Sequence, residues 1–257
     1  MDLFHAFLLI VAGIAGGALG ALVGGASVVT FPALLAVGLS PVVAVASNLV
    51  ALTPSVVASV FADRQKLPPI GRWFVLLVLT SVTGAAIGAG LLLVTPARTF
   101  EFIVPLLLGL STVLLAFGSR ISAWLREHLR VRYGRELQSE TIGVLILLLV
   151  SIYGGYFGAG AGVMLLAIFL IWSADDYRVA NVMKNVVGSL GSLVASLVFV
   201  FQGAVDWPAA LVMMGGGIAG GALGIKIAQV APRAFIQVLV IGMGVFITVF
   251  YAWRYWF

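Results

Sequence analysis

The sequence predicts an all-α polytopic membrane protein with two homologous halves, which we interpret as inverted repeats. Only 9% of its 257 residues are charged and 62% are hydrophobic, whereas soluble domains carry roughly 25% charged residues. The apolar runs allow roughly eight to ten crossings at about 20 residues each. They lack the alternation of polar and apolar residues that marks a transmembrane β-barrel, so helices remain as the spanning structure.

The first half, residues 1–118, is predicted to begin with a segment that glycines break in two. Its apolar run from 3 to 39 is too long for one ordinary helix and is weakest at Gly24-Gly25-Ala26-Ser27. We therefore expect one helix over about 3–23 and a shorter one that ends near 38. Three spans follow, at 41–62, 71–94 and 99–118, separated by a polar loop at 63–69 and a turn at 95–98.

Residues 119–140 form the longest polar segment of the chain, and we predict a basic cytoplasmic linker between the halves. Apolar residues between its charges suit one side of an amphipathic helix on the inner membrane surface. A lipid-sensing role is the alternative to a simple positively charged linker. The segment contains five arginines, which are Arg120, Arg126, Arg130, Arg132 and Arg135.

The second half, residues 141–257, repeats the order of the first. Its apolar run from 141 to 172 is interrupted by the glycine-rich stretch 158–162. We therefore expect about eight long helices, or ten if each broken segment counts as two. The sequence leaves open whether the broken segments are re-entrant or cross twice. Three spans follow the break, within 173–202, 209–229 and 234–253.

An internal repeat relates the two halves. The sequence SVVASV at 55–60 aligns with SLVASL at 192–197, and the two glycine-rich breaks align with a small shift. The alignment sets Asn48 opposite Asn185, Ser47 opposite Lys184, Gln65 opposite Gln202, and Gly25-Ala26-Ser27 opposite Gly160-Ala161-Gly162.

Two identical octapeptides do not fit this register. The sequence GIAGGALG occurs at 13–20 and again at 217–224. Chance matches are easy in apolar sequence that is rich in glycine and alanine. We interpret the pair as a coincidence of composition.

The positive charges favour inverted over parallel repeats. If each broken segment returns to its own side or crosses twice, the basic residues fall on the inner side except for Arg98 and Arg254. A single crossing would place several more of them outside. Because short inner loops carry an excess of lysine and arginine, we predict inverted repeats in the inner cell membrane, with 119–140 in the cytoplasm.

The polar face of the segment 173–202 is the most informative feature for function. Asn181, Lys184 and Asn185 lie at i, i+3 and i+4, so a helix puts them on one face, which Ser192 continues. Lys184 lies about seven residues, or roughly 10 Å, inside its span. A cation at that depth is costly and usually functional, although snorkelling to the interface is the alternative. We predict that this face binds an anionic substrate.

The first half and the two breaks offer matching parts. Ser47, Asn48 and Ser55 form the equivalent polar face, for which hydrogen bonding between helices is the alternative role. Each break exposes backbone N–H groups at a helix N-terminus, which favour an anion, while close helix packing is the alternative role of the glycines. Further site candidates are Gly25, Ser27, Gly160 and Gly162 in the breaks, together with Tyr156, Gln65 and Gln202.

The distribution of ionisable residues excludes several function classes. All nine acidic residues lie at the ends of spans or in loops, whereas a cation transporter would want a carboxylate inside the membrane. One lysine with amides and hydroxyls suits a small oxyanion instead. The chain has no cysteine and only two histidines, without a Ser-His or HExxH pair, so we expect no catalytic residues, no metal and no cofactor. No extended soluble basic surface exists for nucleic acid.

Two motif pairs carry a family resemblance. They are the segments GALVGGASVVTFPALLAVGLSP and GGYFGAGAGVMLLAIFL, followed by AVASNL and ANVMKN. In these residues, and over nearly its whole length, the chain resembles the TauE/SafE sulfite exporter family of membrane permeases. The resemblance implies transport of sulfite, sulfoacetate or related sulfur anions across a bacterial or archaeal inner membrane.

The leading prediction is a secondary transporter, an exporter, with its anion site at the midplane between the two repeats. Its expected partners are the small anionic substrate and the lipid bilayer. Protons are a candidate coupling ion, carried by Lys184 or by the substrate itself. An anion channel or uniporter and a permease for another small organic anion are the alternatives. The sequence leaves the substrate, the direction, the coupling ion and the oligomeric state open.

Overall fold

The computed structural model describes residues 2–22, 25–62, 71–133, 140–173, 176–227 and 233–256, and these residues form ten α-helices without a strand. The first half contains α1 (Leu3–Leu22), α2 (Ala26–Ala36), α3 (Pro41–Ala62), α4 (Arg72–Val94) and α5 (Ala97–Tyr133). The second contains α6 (Glu140–Tyr156), α7 (Ala161–Trp172), α8 (Tyr177–Phe201), α9 (Trp207–Ile227) and α10 (Arg233–Trp256).

The prediction of an all-α polytopic membrane protein is confirmed. Within the described residues, five helices are long and apolar enough to cross a membrane, namely parts of α1, α3 and α5 and the whole of α4 and α8. A helix satisfies its backbone N–H and C=O groups internally, which is what a lipid environment requires. Helix α5 continues without a break past 118, so the predicted start of the linker lies inside this helix.

Both predicted helix breaks are present. Helix α2 has 11 residues and α7 has 12, so each is shorter than a membrane span. Helix α2 runs back along α1, since Gly16 lies against Thr30 and a Cβ at Gly20 would lie 3.3 Å from the Cβ of Ala26. At the second break, a Cβ at Gly154 would lie 3.5 Å from the Cβ of Ala161.

Glycines bring the first helix of each half against the fourth helix of the other half. In the α1–α9 pair, a Cβ at Gly17 would overlap the carbonyl oxygen of Gly217. In the α4–α6 pair, a Cβ at Gly88 would overlap the carbonyl oxygen of Ile152. Both interfaces therefore depend on direct backbone contact, as in close-packed membrane helix pairs.

The two identical octapeptides form the α1–α9 contact, which their interpretation as a coincidence of composition does not anticipate. A Cβ at Gly13 would lie 3.0 Å from Gly217 N, and one at Gly17 would lie 2.8 Å from Gly221 N. These contacts join equivalent positions of the two copies, which run in the same direction. Each copy supplies the small residues against which the other packs.

The last helices of the two halves, α5 and α10, run antiparallel to each other. Near one end, Trp256 Nε1 donates to the carbonyl oxygen of Phe102 at 3.0 Å. Further along, a Cβ at Gly109 would lie 3.4 Å from Thr248 Cγ2, and one at Gly244 would lie 2.5 Å from Thr112 Oγ1. Inverted repeats require equivalent helices to run in opposite directions, so these contacts support the prediction of that arrangement.

Candidate functional site

The two breaks meet on neighbouring residues of α5. A Cβ at Gly25 would lie 2.7 Å from Leu115 Cδ1, and one at Gly160 would lie 3.3 Å from Leu114 Cδ1. Two aromatic rings also join the break regions, because Phe31 of α2 and Phe157 pack edge to face with centroids 5.2 Å apart. The candidate residues Gly25 and Gly160 are therefore brought to one place, although they lie far apart in the sequence.

Asn48 and Ser27 are hydrogen-bonded to each other in the first half. Asn48 Nδ2 donates to Ser27 Oγ at 3.1 Å, and Asn48 Oδ1 lies 2.5 Å from Thr30 Oγ1. The side chain is 1% exposed, so its amide is used to tie α3 to α2. Asn48 therefore has the alternative role stated above, hydrogen bonding between helices. Its amide can be buried at little cost because both of its polar atoms are hydrogen-bonded.

Ser47 is also committed to a structural contact. It is fully buried, and its Oγ accepts a hydrogen bond from Asp206 N at 2.9 Å. Asp206 in turn caps α9 by accepting from Ala209 N at 2.9 Å. Ser47 therefore anchors the start of a second-half helix, a role that the sequence does not reveal.

Ser55 and its neighbour Thr53 both use their hydroxyls inside the helix bundle. Ser55 Oγ donates to Leu52 O within α3 at 2.7 Å. The hydroxyls of Thr53 and Ser196 lie 2.8 Å apart and are both buried. This contact joins α3 to α8, and sequence reasoning missed it because a lone hydroxyl in an apolar span gives no indication of its partner.

The second-half polar face lies on α8 with its side chains half-buried. The half-buried residues of this face are Asn181, Lys184, Asn185 and Ser192. Among the described residues, no side-chain hydrogen bond is made by Asn181, Asn185 or Ser192. These two amides and one hydroxyl therefore retain hydrogen-bonding capacity, in contrast to Asn48.

The second break also differs from the first in the residues at its equivalent positions. In the alignment of the breaks, Gly162 stands where the first half has Ser27, and Leu165 stands where it has Thr30. A Cβ at Gly162 would have no heavy atom within 4 Å. The second half thus has open space where the first half has the hydroxyl that binds its asparagine.

The backbone of the second break is shaped by two glycines in the left-handed region. Gly158 and Gly160 both have φ of +80°, which other residues adopt only with strain. Gly160 is the N-cap of α7 and has no side-chain capping hydrogen bond. Within the described part of the chain, Gly162 N–H has no hydrogen-bond acceptor. The start of α7 can therefore donate to an anion.

The remaining candidates lie at helix ends. Tyr156 OH is 3.4 Å from Thr95 Oγ1, and the ring packs edge to face on Phe100, so this residue has a packing role. Gln202 is the exposed C-cap of α8. Asp176 is the N-cap of α8 and accepts from Arg178 N at 2.8 Å. Gln65 and the side chains of 121–140 lie outside the described residues.

Comparison with known proteins gives a consistent result. The family model for the sulfite exporter TauE/SafE matches residues 9–251. A probable membrane transporter protein of Haemophilus influenzae is 26% identical in an alignment of 250 positions that covers 94% of this chain and 92% of the relative. The probable membrane transporter protein YfcA of Escherichia coli K12 is 25% identical over 226 residues, 88% of this chain and 81% of the relative. No solved structure matches the chain.

Proposed function

The chain belongs to the TauE/SafE family of membrane transporters, and we propose that it exports a small sulfur oxyanion or organosulfonate, such as sulfite or sulfoacetate. The resemblance seen in its sequence is thereby confirmed. The family name suggests the substrate class and the direction. The proposed site lies near the membrane midplane between the repeats, and the following observations support this assignment.

The difference between the two halves at their breaks is the observation that carries the proposal. Asn48 is bonded to Ser27, whereas Asn185 makes no side-chain hydrogen bond among the described residues. The open space at Gly162 adjoins the start of α7. We therefore propose that the anion binds on the second-half side of this site, between α7 and α8, because the equivalent position of the first half is closed by its own side chains.

The groups at this position suit a tetrahedral or pyramidal oxyanion. Lys184 supplies a positive charge on the face of α8 that carries Asn181 and Asn185. Amide N–H₂ groups and the start of α7 supply neutral donors. An anion that leaves water must regain several hydrogen bonds, and charge-assisted bonds are the strongest of these. A carboxylate with two oxygens would satisfy fewer of these donors than a sulfonate with three.

Coupled and uncoupled transport would use the same residues. We place the protein in the inner cell membrane with the segment 119–140 in the cytoplasm, and we assign it no catalytic role. Proton coupling requires a group that changes charge, which is either Lys184 or the substrate anion. A uniporter or channel would use the same site without coupling. Flux into proteoliposomes, with and without a pH gradient, distinguishes the two modes.

A ligand-stabilisation screen tests the proposed substrate class. The purified protein is heated with sulfite, sulfate, thiosulfate, sulfoacetate or a carboxylate of matched size, and Tm is followed over ligand concentration. We expect a saturable rise in Tm with at least one sulfur anion, because a ligand that binds only the folded state stabilises it. Equal shifts with every salt, at equal ionic strength, would contradict the proposal.

A further inference from the structure

Two hydroxyl groups converge on one carbonyl oxygen of the second break. Tyr153 OH donates to the carbonyl oxygen of Ala159 at 2.6 Å, and Ser111 Oγ lies 2.9 Å from the same oxygen. The two hydroxyls are 3.0 Å apart. Tyr153 belongs to α6 and Ser111 to α5, so the break is held from two helices.

A broken helix presents two opposite ends to whatever binds there. The helix before the break ends in carbonyl oxygens, which attract cations, and the helix after it begins with N–H groups, which attract anions. Ala159 lies between Gly158 and Gly160, where two positive φ angles turn the chain. Its carbonyl has two lone pairs, and two hydroxyl donors are sufficient to satisfy both of them.

We propose that Tyr153 and Ser111 are positioning residues that hold the Ala159 carbonyl on the α5–α6 side, so that the break offers donors instead of acceptors to the substrate anion. The proposal rests on the proposed function and explains how a glycine-rich break becomes selective for anions. Holding the peptide after Ala159 also fixes Gly160, whose carbonyl accepts from Val163 N at 3.0 Å in the first turn of α7.

The two hydroxyls contribute unequally. Ser111 has one proton, and Leu107 O, at 2.7 Å, competes with Ala159 O for it. Tyr153 has its shortest contact with Ala159 O. Removal of the Tyr153 hydroxyl therefore has the larger effect, and removal of both leaves the carbonyl without a side-chain donor among the described residues.

The first half does not have the same arrangement. Helix α1, the equivalent of α6, contains no serine, threonine or tyrosine. The first break therefore receives no hydroxyl from its preceding helix. This agrees with the location of the proposed anion position in the second half only.

The variants are Tyr153→Phe, Ser111→Ala and the double variant, with Tyr156→Phe as the matched control. Tyr156 is one turn further along α6, and its hydroxyl lies 3.4 Å from Thr95 Oγ1 and not at the break. The control therefore removes the same chemical group from the same helix. Unliganded Tm is recorded for all four, so that a general loss of stability is measured separately.

Amide hydrogen exchange tests the positioning without any ligand. The segment 157–165 is followed by mass spectrometry. We expect exchange at Val163 and Met164 to be about fivefold faster in Tyr153→Phe, since one partly buried hydrogen bond is lost, and faster still in the double variant. The Tyr156→Phe control should match the wild type. Unchanged exchange in both Tyr153→Phe and the double variant would overturn the proposal.

Anion affinity tests the consequence for binding. From the concentration dependence of Tm we expect about fivefold weaker binding of the sulfur anion in Tyr153→Phe, and no change in Tyr156→Phe. Equal affinity in the wild type and the double variant would overturn the link to anion selectivity. If no anion stabilises the wild type, the proposed function fails, and the exchange result still decides whether the two hydroxyls hold the break.

Discussion

Asn48 Nδ2 donates a hydrogen bond to Ser27 Oγ at 3.1 Å and thereby closes the first half's polar face against its own helix break. In the aligned second half Gly162 stands in place of Ser27, and the asparagine there, Asn185, has no such bond among the described residues. Two hydroxyl groups, those of Ser27 and Thr30, thus distinguish the structural asparagine of the first half from the candidate ligand-binding asparagine of the second.

Alanine substitution should lower stability at Asn48 and anion affinity at Asn185. Asn48→Ala removes a buried amide that bonds the hydroxyls of Ser27 and Thr30, so we expect a loss of about 1–3 kcal/mol in stability and a lower unliganded Tm. Asn185→Ala should leave the unliganded Tm nearly unchanged and weaken anion binding. Thermal unfolding with and without sulfite measures both effects. A large drop in unliganded Tm for Asn185→Ala would show that this side chain is structural.

Gly162→Ser should give the second half the hydrogen bond between serine and asparagine that the first half has. A Cβ at this position meets no heavy atom within 4 Å, and serine is well tolerated near the start of a helix. The new hydroxyl is expected to bond Asn185 and to fill the open space, so the protein should fold with weaker anion binding. Gly160→Ser is the contrasting variant, since its φ of +80° and Leu114 at 3.3 Å predict misfolding. Unchanged anion affinity in Gly162→Ser would contradict the proposed position.

Lys184→Ala should weaken anion-dependent stabilisation by about tenfold or more, because a charge-assisted hydrogen bond is lost. Arg178→Ala is the control, since Arg178 is an exposed cation on the same helix. The comparison is made at fixed ionic strength, so that a general loss of positive charge affects both variants alike. If both variants keep wild-type affinity for sulfite and sulfoacetate, Lys184 does not belong to the site.

Two adjacent glycines of α9 should respond very differently to alanine. A Cβ at Gly220 would overlap the carbonyl oxygen of Ile14, whereas one at Gly221 meets nothing within 4 Å. We expect Gly220→Ala to lower stability by about 1–3 kcal/mol through overpacking and Gly221→Ala to have little effect. Thermal unfolding and the yield of monodisperse protein give the readout. Equal behaviour of the two variants would contradict the backbone contact between α1 and α9.

Cysteine labelling tests the inverted arrangement directly. Single cysteines replace Gln65 and Gln202, which stand opposite each other in the alignment. The chain has no cysteine of its own, so a membrane-impermeant maleimide reports only the introduced thiol. Inverted repeats predict that the two sites are labelled from opposite sides of the membrane. Labelling of both from one side would rule out the inverted arrangement.

Much of the fold follows from local sequence. Both breaks lie at glycines, which lower helix propensity, and at the second break Gly158 and Gly160 adopt positive φ. Asp176 caps α8 because an aspartate before an apolar helix can accept its first N–H groups. The octapeptides at 13–20 and 217–224 show the limit of such reasoning, because identical sequence does not indicate that the two copies touch.

The sequence by itself determined the membrane class, the helical fold, the two breaks and the polar faces, because these depend on composition and on backbone groups within one segment. Only the tertiary structure decided which polar groups are already used. Ser27 and Asn48, Ser111 and Ala159, and Thr53 and Ser196 lie far apart in the sequence. A hydrogen bond requires its two atoms to lie within about 3 Å, and this proximity is set by helix packing, which a single segment does not specify.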